Sequence, residues 1–124
     1  MYLQKSEVKS RIALVTGAGK GIGKASAIAL AEAGADLIIL SRSKIDLEKV
    51  KKKIVKLKRK CTIYDCDVTN FKDLKSVFKQ ITKLDILVNN AGTNRPEHFT
   101  EIKKEDMDYV VDLNLKAAFH VAQM

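Results

Sequence analysis

The sequence predicts an α/β fold, a doubly wound parallel sheet with helices on both faces. Three observations predict it. Four short apolar runs alternate with four segments of helical periodicity, and such alternation favours a parallel sheet covered on both sides. The runs are nearly continuous in apolar residues, as strands buried on both faces are. A glycine-rich loop, Thr16–Gly23, joins the first run to the first helical segment.

The elements follow in order. Arg11–Thr16 reads as a buried strand that ends in glycine. Ile22, Ala25, Ala29 and Ala33 recur at helical spacing, and Gly34 stands where a helix C-terminus favours glycine. Asp36–Leu40 is a second strand. Ser41 or Ser43 caps the next helix, whose inner face is Leu47, Val50, Ile54 and Leu57. Thr62–Cys66 is a third strand despite the polar Asp65. Thr69 or Asn70 caps a helix with Phe71, Leu74, Phe78 and Ile81 turned inward. Leu84–Val88 is a fourth strand. A last helix runs from about Lys104 to the end, with Glu105 and Asp106 favourably placed in its first turn.

Composition removes several classes. The chain has 124 residues, 46% hydrophobic, with six Gly and one Pro, so disorder and collagen-like repeats are excluded. The polar stretch Met1–Arg11 contains no secretory apolar core. No apolar run approaches the roughly 20 residues of a spanning helix, so no membrane is expected. Cys61 and Cys66 form neither a CxxC pair nor a disulfide framework, and buried reduced thiols in a cytoplasmic protein are expected. No metal site is expected. The net charge is +8, and lysines crowd 49–60. They share that segment with an apolar helical stripe and have no aromatics to stack bases, so they read as a solvated face, with no nucleic acid as partner.

The loop Thr16-Gly17-Ala18-Gly19-Lys20-Gly21-Ile22-Gly23 sits between a strand and a helix, as pyrophosphate binding at a helix N-terminus requires. It does not spell a P-loop: Ala18 and Ala25 stand where Gly and Ser or Thr belong. Nor does it spell GxGxxG, since Ile22 would be the third glycine. It spells TGxxxGxG through Thr16, Gly17, Gly21 and Gly23. Three further motifs follow: Asp67-Val68 at the end of the third strand, Asn89-Asn90-Ala91-Gly92 at the end of the fourth, and Asp112-Leu113-Asn114-Leu115 in the last helix.

In these four motifs, in this order, the chain resembles the short-chain dehydrogenase/reductase family, over almost its whole length. The resemblance implies a Rossmann-type dinucleotide-binding domain over 1–124. It implies hydride transfer between a nicotinamide and a carbonyl or alcohol substrate. Cofactor contacts are expected from Thr16, Gly17, Gly19, Lys20, Gly21, Ile22, Gly23, Asp67, Val68, Asn89, Ala91 and Gly92. Asp67 can meet the adenine amine or serve as a turn residue. Asn89 and Asn90 can face a ligand or bond the sheet end. Asn114 falls in the stripe Met107, Val111, Ala118 and Val121 and is expected to be buried. The family's matching Asn holds a water of a proton relay, though this one can also simply brace the helix.

Cofactor preference follows from charge. Enzymes of this architecture that use NAD place a carboxylate about 20 residues past the loop, on the ribose 2′-hydroxyl. Here Ser41 and Arg42 are 18 and 19 residues beyond Gly23. Arg42 can clamp a 2′-phosphate, with Lys20 as a second cation, so NADP(H) is expected over NAD(H). Both cations can instead be plain surface residues.

The family's catalytic Tyr and Lys are four residues apart. Tyr2, Tyr64 and Tyr109 are followed at that distance by Ser6, Val68 and Leu113. The chain also stops inside a helix without a stop signal. Together these lead to the expectation of a domain cut short after the fourth strand and its helix. A non-catalytic nucleotide-binding fragment or pseudoenzyme is the alternative. The substrate is expected to be a 3-oxoacyl thioester, on an acyl carrier that +8 would suit, or a sugar or polyol. The complete protein is expected to be a homo-oligomer, with Val110, Val111, Ala118 and Val121 exposed as an apolar stripe.

Overall fold

The computed structural model describes residues 7–124. Met1–Ser6, with Tyr2 and the front of the polar N-terminal stretch, lies outside the described residues. Four parallel strands, β1 (Ile12–Thr16), β2 (Asp36–Ser41), β3 (Cys61–Asp65) and β4 (Ile86–Val88), lie in the order β3-β2-β1-β4. Leu14 stands opposite Ile38 in β2 and Leu87 in β4, and Ile39 opposite Ile63 in β3. The sheet is thus the expected Rossmann-like one, with strand ends within a residue or two of those expected.

Alternation along β1 and β2 splits the core into two layers, because successive side chains point to opposite faces. Ala13, Val15, Leu37 and Ile39 pack under α1 (Gly21–Glu32) and α2 (Lys44–Lys56). Leu14 and Leu40 pack under α3 (Phe71–Phe78) and the last helical stretch. That stretch is α4 (Lys104–Val111), a π-helical segment over Asp112–Ala117, and α5 (Ala118–Gln123).

Phe71, expected inward on α3, is 45% exposed, and the buried residues of that helix are Leu74 and Val77. Two further inward stripes differ from expectation. In α1 the buried residues are Gly23, Ala27 and Ala31, while Ile22 is 78% exposed. Alanines at both spacings gave the sequence two equivalent stripes. The one containing Gly23 packs because only a glycine lets the helix approach the backbone of the preceding loop. In the last stretch Leu113, Ala117 and Val121 are buried, whereas Met107 and Asn114 are exposed. The wider π turn shifts the helical register, so a stripe extrapolated at 3.6 residues per turn leaves the core face. Val121 is therefore inward rather than part of an exposed stripe, Val110, Val111 and Ala118 are half-buried, and the exposed large apolar residues of the stretch are Met107 (58%), Leu115 (65%), Phe119 (61%) and Met124 (40%).

The caps resolve cleanly. Ser43, not Ser41, caps α2 by accepting from the Asp46 N–H, and Asn70, not Thr69, caps α3 by accepting from the Asp73 N–H. Leu57 ends α2 and is exposed, outside the buried face of Leu47, Val50 and Ile54. At the amino end of the sheet, Asp85 Oδ2 accepts from the Ile12 N–H at 2.8 Å. That bond, and behind it the charges of Lys83 and Arg11, holds the Asp85 carboxyl below its usual range. Cys61 and Cys66 are buried free thiols, each pushed up to about 11 chiefly by burial. No helix among the described residues is long and apolar enough to cross a membrane.

Candidate dinucleotide-binding site

The chain runs outward from β1 through β2 to β3, then returns to place β4 on the other side of β1. In an open parallel sheet, ligands bind at the carboxyl ends of the strands beside such a reversal. A cavity of about 580 Å³ opens there. Its walls are the β1–α1 loop, Leu40–Ser43 with Asp46, Cys66–Val68, Asn90–Gly92, and Leu113.

The loop leaves the cavity open to the first turn of α1. Gly17 and Gly21 adopt φ of +63° and +58°, a region that L side chains rarely occupy. A Cβ on Gly21 would meet nothing within 4 Å, so the loop leaves open space at the start of α1. No side chain caps α1, and no acid lies in its first turn. By contrast α2 and α3 carry both a cap and an acid, and α4 carries Glu105 and Asp106. The positive end of α1 is therefore left for something outside the chain.

Gly23 does not line the cavity. A Cβ there would run into the Gly17 carbonyl and the Asn90 amide, so its part is to let helix and loop touch. Gly19 is similarly tight against Ser41 Oγ, at 2.9 Å from a built Cβ. Lys20 and Ile22 are exposed on the cavity wall.

The corner at the end of β2 carries the charge. Ser41 Oγ accepts from the Ser43 N–H at 3.0 Å and shapes the turn. Arg42 is exposed, and its Nη1 donates to the Tyr109 hydroxyl at 3.1 Å. Asp46 also lines the corner. Sequence reasoning passed over it by looking for a carboxylate only at the strand end. The available signal was its position three residues after the capping serine, on the first turn of α2. The corner thus holds the Arg42 cation and the Asp46 carboxylate, with Lys20 on the wall of the same cavity.

On the opposite wall, Asp67 Oδ1 accepts from both the N–H and the hydroxyl of Thr69, at 2.9 and 2.7 Å. Asp67 is therefore a turn residue and a cavity residue at once. Burial, then Asp73, Asp67 and Asp65, keeps the neighbouring Cys66 thiol protonated at neutral pH. Val68 completes this apolar wall.

The end of β4 is stitched to β1. Thr16 is fully buried, and its Oγ1 accepts from the Asn90 and Ala91 N–H groups at 3.0 and 2.9 Å. The Asn90 amide donates back to the Thr16 and Gly17 carbonyls. Thr16 thus stands behind the cavity rather than on its wall. Asn89 also stands off the wall and donates to the Ala118 carbonyl at 2.7 Å, anchoring the last helix. Asn114 pairs with the Thr93 backbone in both directions, at 2.8 and 2.7 Å. A Cβ on Gly92 would come within 2.9 Å of Asn114 Oδ1, so the glycine makes room for that clamp. Asn114 is an exposed clamp rather than the buried residue expected.

The family model described as short chain dehydrogenase matches residues 11–124. The chain is 36% identical to the 3-oxoacyl-acyl-carrier-protein reductase of Thermotoga maritima, over 94% of its own length and 49% of the relative's. A short-chain type dehydrogenase/reductase from Mycobacterium marinum superposes with a TM-score of 0.92 at 31% identity, over 99% of this chain and 52% of that one. An NAD⁺-bound xylitol dehydrogenase superposes with a TM-score of 0.85 at 32% identity, over 93% and 46%. The chain spans about half the length of the relatives it matches.

Proposed function

The chain belongs to the short-chain dehydrogenase family, and from that premise we propose that it supplies an NADP(H) site for hydride transfer between the nicotinamide and a carbonyl or alcohol substrate. The observation that carries this reading is the uncapped, acid-free N-terminus of α1, opening on a cavity at the strand reversal. The bound dinucleotide would supply the hydride to a carbonyl or accept it from an alcohol. The residues here bind and orient it. The N–H groups of the first turn of α1 meet the pyrophosphate, with Gly21 leaving room for it. The free Asp67 Oδ2 accepts from the adenine amine, while Oδ1 keeps the turn. Ala91 and Gly92 border the path towards the nicotinamide. Thr16, Gly23 and Asn89 act behind this surface, by holding β4, α1 and the last helix in place. The Asn114 side chain spends one lone pair and one N–H on Thr93, which leaves a second of each for a water of a proton relay.

The preference for NADP(H) rests on Arg42 at the 2′ corner, opposed there by Asp46 and joined by Lys20 from the wall of the same cavity. Arg42→Asp should weaken NADPH binding about 100-fold or more and favour NADH, because it replaces a bidentate phosphate donor with a like charge. Titrating both cofactors against both proteins checks this. Tighter NADH than NADPH binding by the unaltered chain would overturn the preference.

None of the three tyrosines is followed four residues later by lysine. The 124-residue polypeptide is therefore expected to bind dinucleotide without measurable turnover. General acid–base groups typically contribute about 10²–10⁴-fold to such reactions. NADPH oxidation with a panel of ketones, sugars and 3-oxoacyl thioesters is the assay, and robust turnover by the pure chain would sink this reading. We propose a 3-oxoacyl thioester or a sugar or polyol as substrate class. The net charge of +8 suits an acidic acyl carrier, and exposed Met107, Leu115 and Phe119 suit a homo-oligomer contact.

A further inference from the structure

We infer that Tyr109 is a positioning residue for cofactor selection, its hydroxyl tethering Arg42 at the 2′ corner and so enlarging the preference for a 2′-phosphate. The inference rests on the dinucleotide reading above. Tyr109 lies on α4 one turn before Leu113, which lines the cavity, and it packs against the core layer of Leu14 and Leu40. Its hydroxyl receives the Arg42 Nη1 donor at 3.1 Å, joining the end of β2 to α4 across 67 residues of sequence.

The ring is itself held. The Arg95 guanidinium carbon lies 4.0 Å from its centroid, and Arg95 Nη1 reaches Asp106 Oδ1 at 2.6 Å. Asp106 therefore balances the charge of Arg95, which serves as a clamp on the ring. Arg42 is treated differently. Its tether is a neutral phenol, which fixes the guanidinium without neutralising it. One of five N–H donors is used, and the rest stay available for a phosphate. An exposed arginine otherwise gives up much rotamer freedom when it binds an anion. Fixing it beforehand lowers that cost by about threefold to tenfold in affinity per immobilised side chain.

The test is calorimetric titration of the 124-residue chain with adenosine 2′,5′-bisphosphate (2′,5′-ADP) and with 5′-AMP, which differ only by the 2′-phosphate, comparing the unaltered protein, Tyr109→Phe, Arg42→Ala and the double variant. Phe keeps the ring beneath Arg95 and removes only the tether. Tyr109→Phe should weaken 2′,5′-ADP binding about threefold to tenfold and leave 5′-AMP unchanged. With Arg42 already Ala, the further change at 109 should not alter the ratio of the two affinities. Arg95→Ala, which loosens the ring without touching its hydroxyl, should lower that ratio in the same direction and serves if the Phe variant does not fold. An unchanged ratio in Tyr109→Phe, with the ratio collapsing in Arg42→Ala, would overturn the inference and leave the cofactor reading standing. Equal loss for both ligands in Tyr109→Phe would show a packing role and also overturn it. An unaltered chain that binds the two ligands equally, or neither, would overturn the cofactor reading and the inference with it.

Discussion

A valine at position 21 should leave the fold standing and remove dinucleotide binding, with affinity lost by about 100-fold or more. Gly21 is the position where these two effects separate. A Cβ there meets nothing within 4 Å, so no core contact is disturbed. The side chain would instead stand in the open space at the start of α1, where the pyrophosphate is proposed to lie. The backbone adds to the effect. At φ +58° a non-glycine residue costs about 1–2 kcal/mol, and more when β-branched. If the loop relaxes to relieve that strain, the N–H groups of α1 turn away from the cavity. If it does not relax, the isopropyl group fills the site. Either response defeats binding. Fluorescence titration with NADPH, beside a thermal melt, reads both halves of the prediction. A folded Gly21→Val protein that binds NADPH like the unaltered chain would reduce the loop to a turn. Gly23→Val cannot serve in its place, because its side chain collides with the Gly17 carbonyl and unfolding would confound the result.

That difference between Gly21 and Gly23 also marks what was legible in the sequence. The order of apolar runs and helical stripes sufficed for strands, helices and their parallel pairing, because burial on both faces leaves few other patterns. Gly17, Gly19 through Ile22, Asp67 and the Ala91–Gly92 turn come to the cavity because strand ends converge there. Spacing could not show which motif residues face the cavity and which stand behind it. Thr16 and Asn89 belong to the motifs yet spend their polar atoms on the scaffold. Nor could spacing foresee the π segment that turns Asn114 out of the core and Leu113 into it. Asp46 and Tyr109 were missed because each reaches the corner at the end of β2 from a helix rather than from the strand end searched.

Thr16→Val should cost about 1–3 kcal/mol of stability, a large loss for a substitution that barely changes side-chain shape. The Thr16 hydroxyl oxygen is fully buried and accepts two backbone N–H groups, from Asn90 and Ala91. Valine keeps the β-branch that suits a strand but offers no acceptor. The Asn90 N–H keeps its bond to the Val88 carbonyl at 3.1 Å, but the Ala91 N–H is left unpaired, which costs about 1–3 kcal/mol, the lower figure applying where water can reach it. Ala91 is half-buried, which places the loss below the upper limit. The loss should appear as a lower urea midpoint with an unchanged slope, since the folded chain buries the same surface. Thr16→Ser, which retains the oxygen, should recover most of the stability. Dinucleotide affinity should fall with the valine as well. β4 has only three residues and pairs with β1 alone, so this stitch is what holds Ala91 and Gly92 against the loop. Were the valine protein to unfold at the same urea concentration as the unaltered chain, the β1–β4 stitch would be incidental, and positioning of the cavity's floor would have to come from packing of the last helix instead.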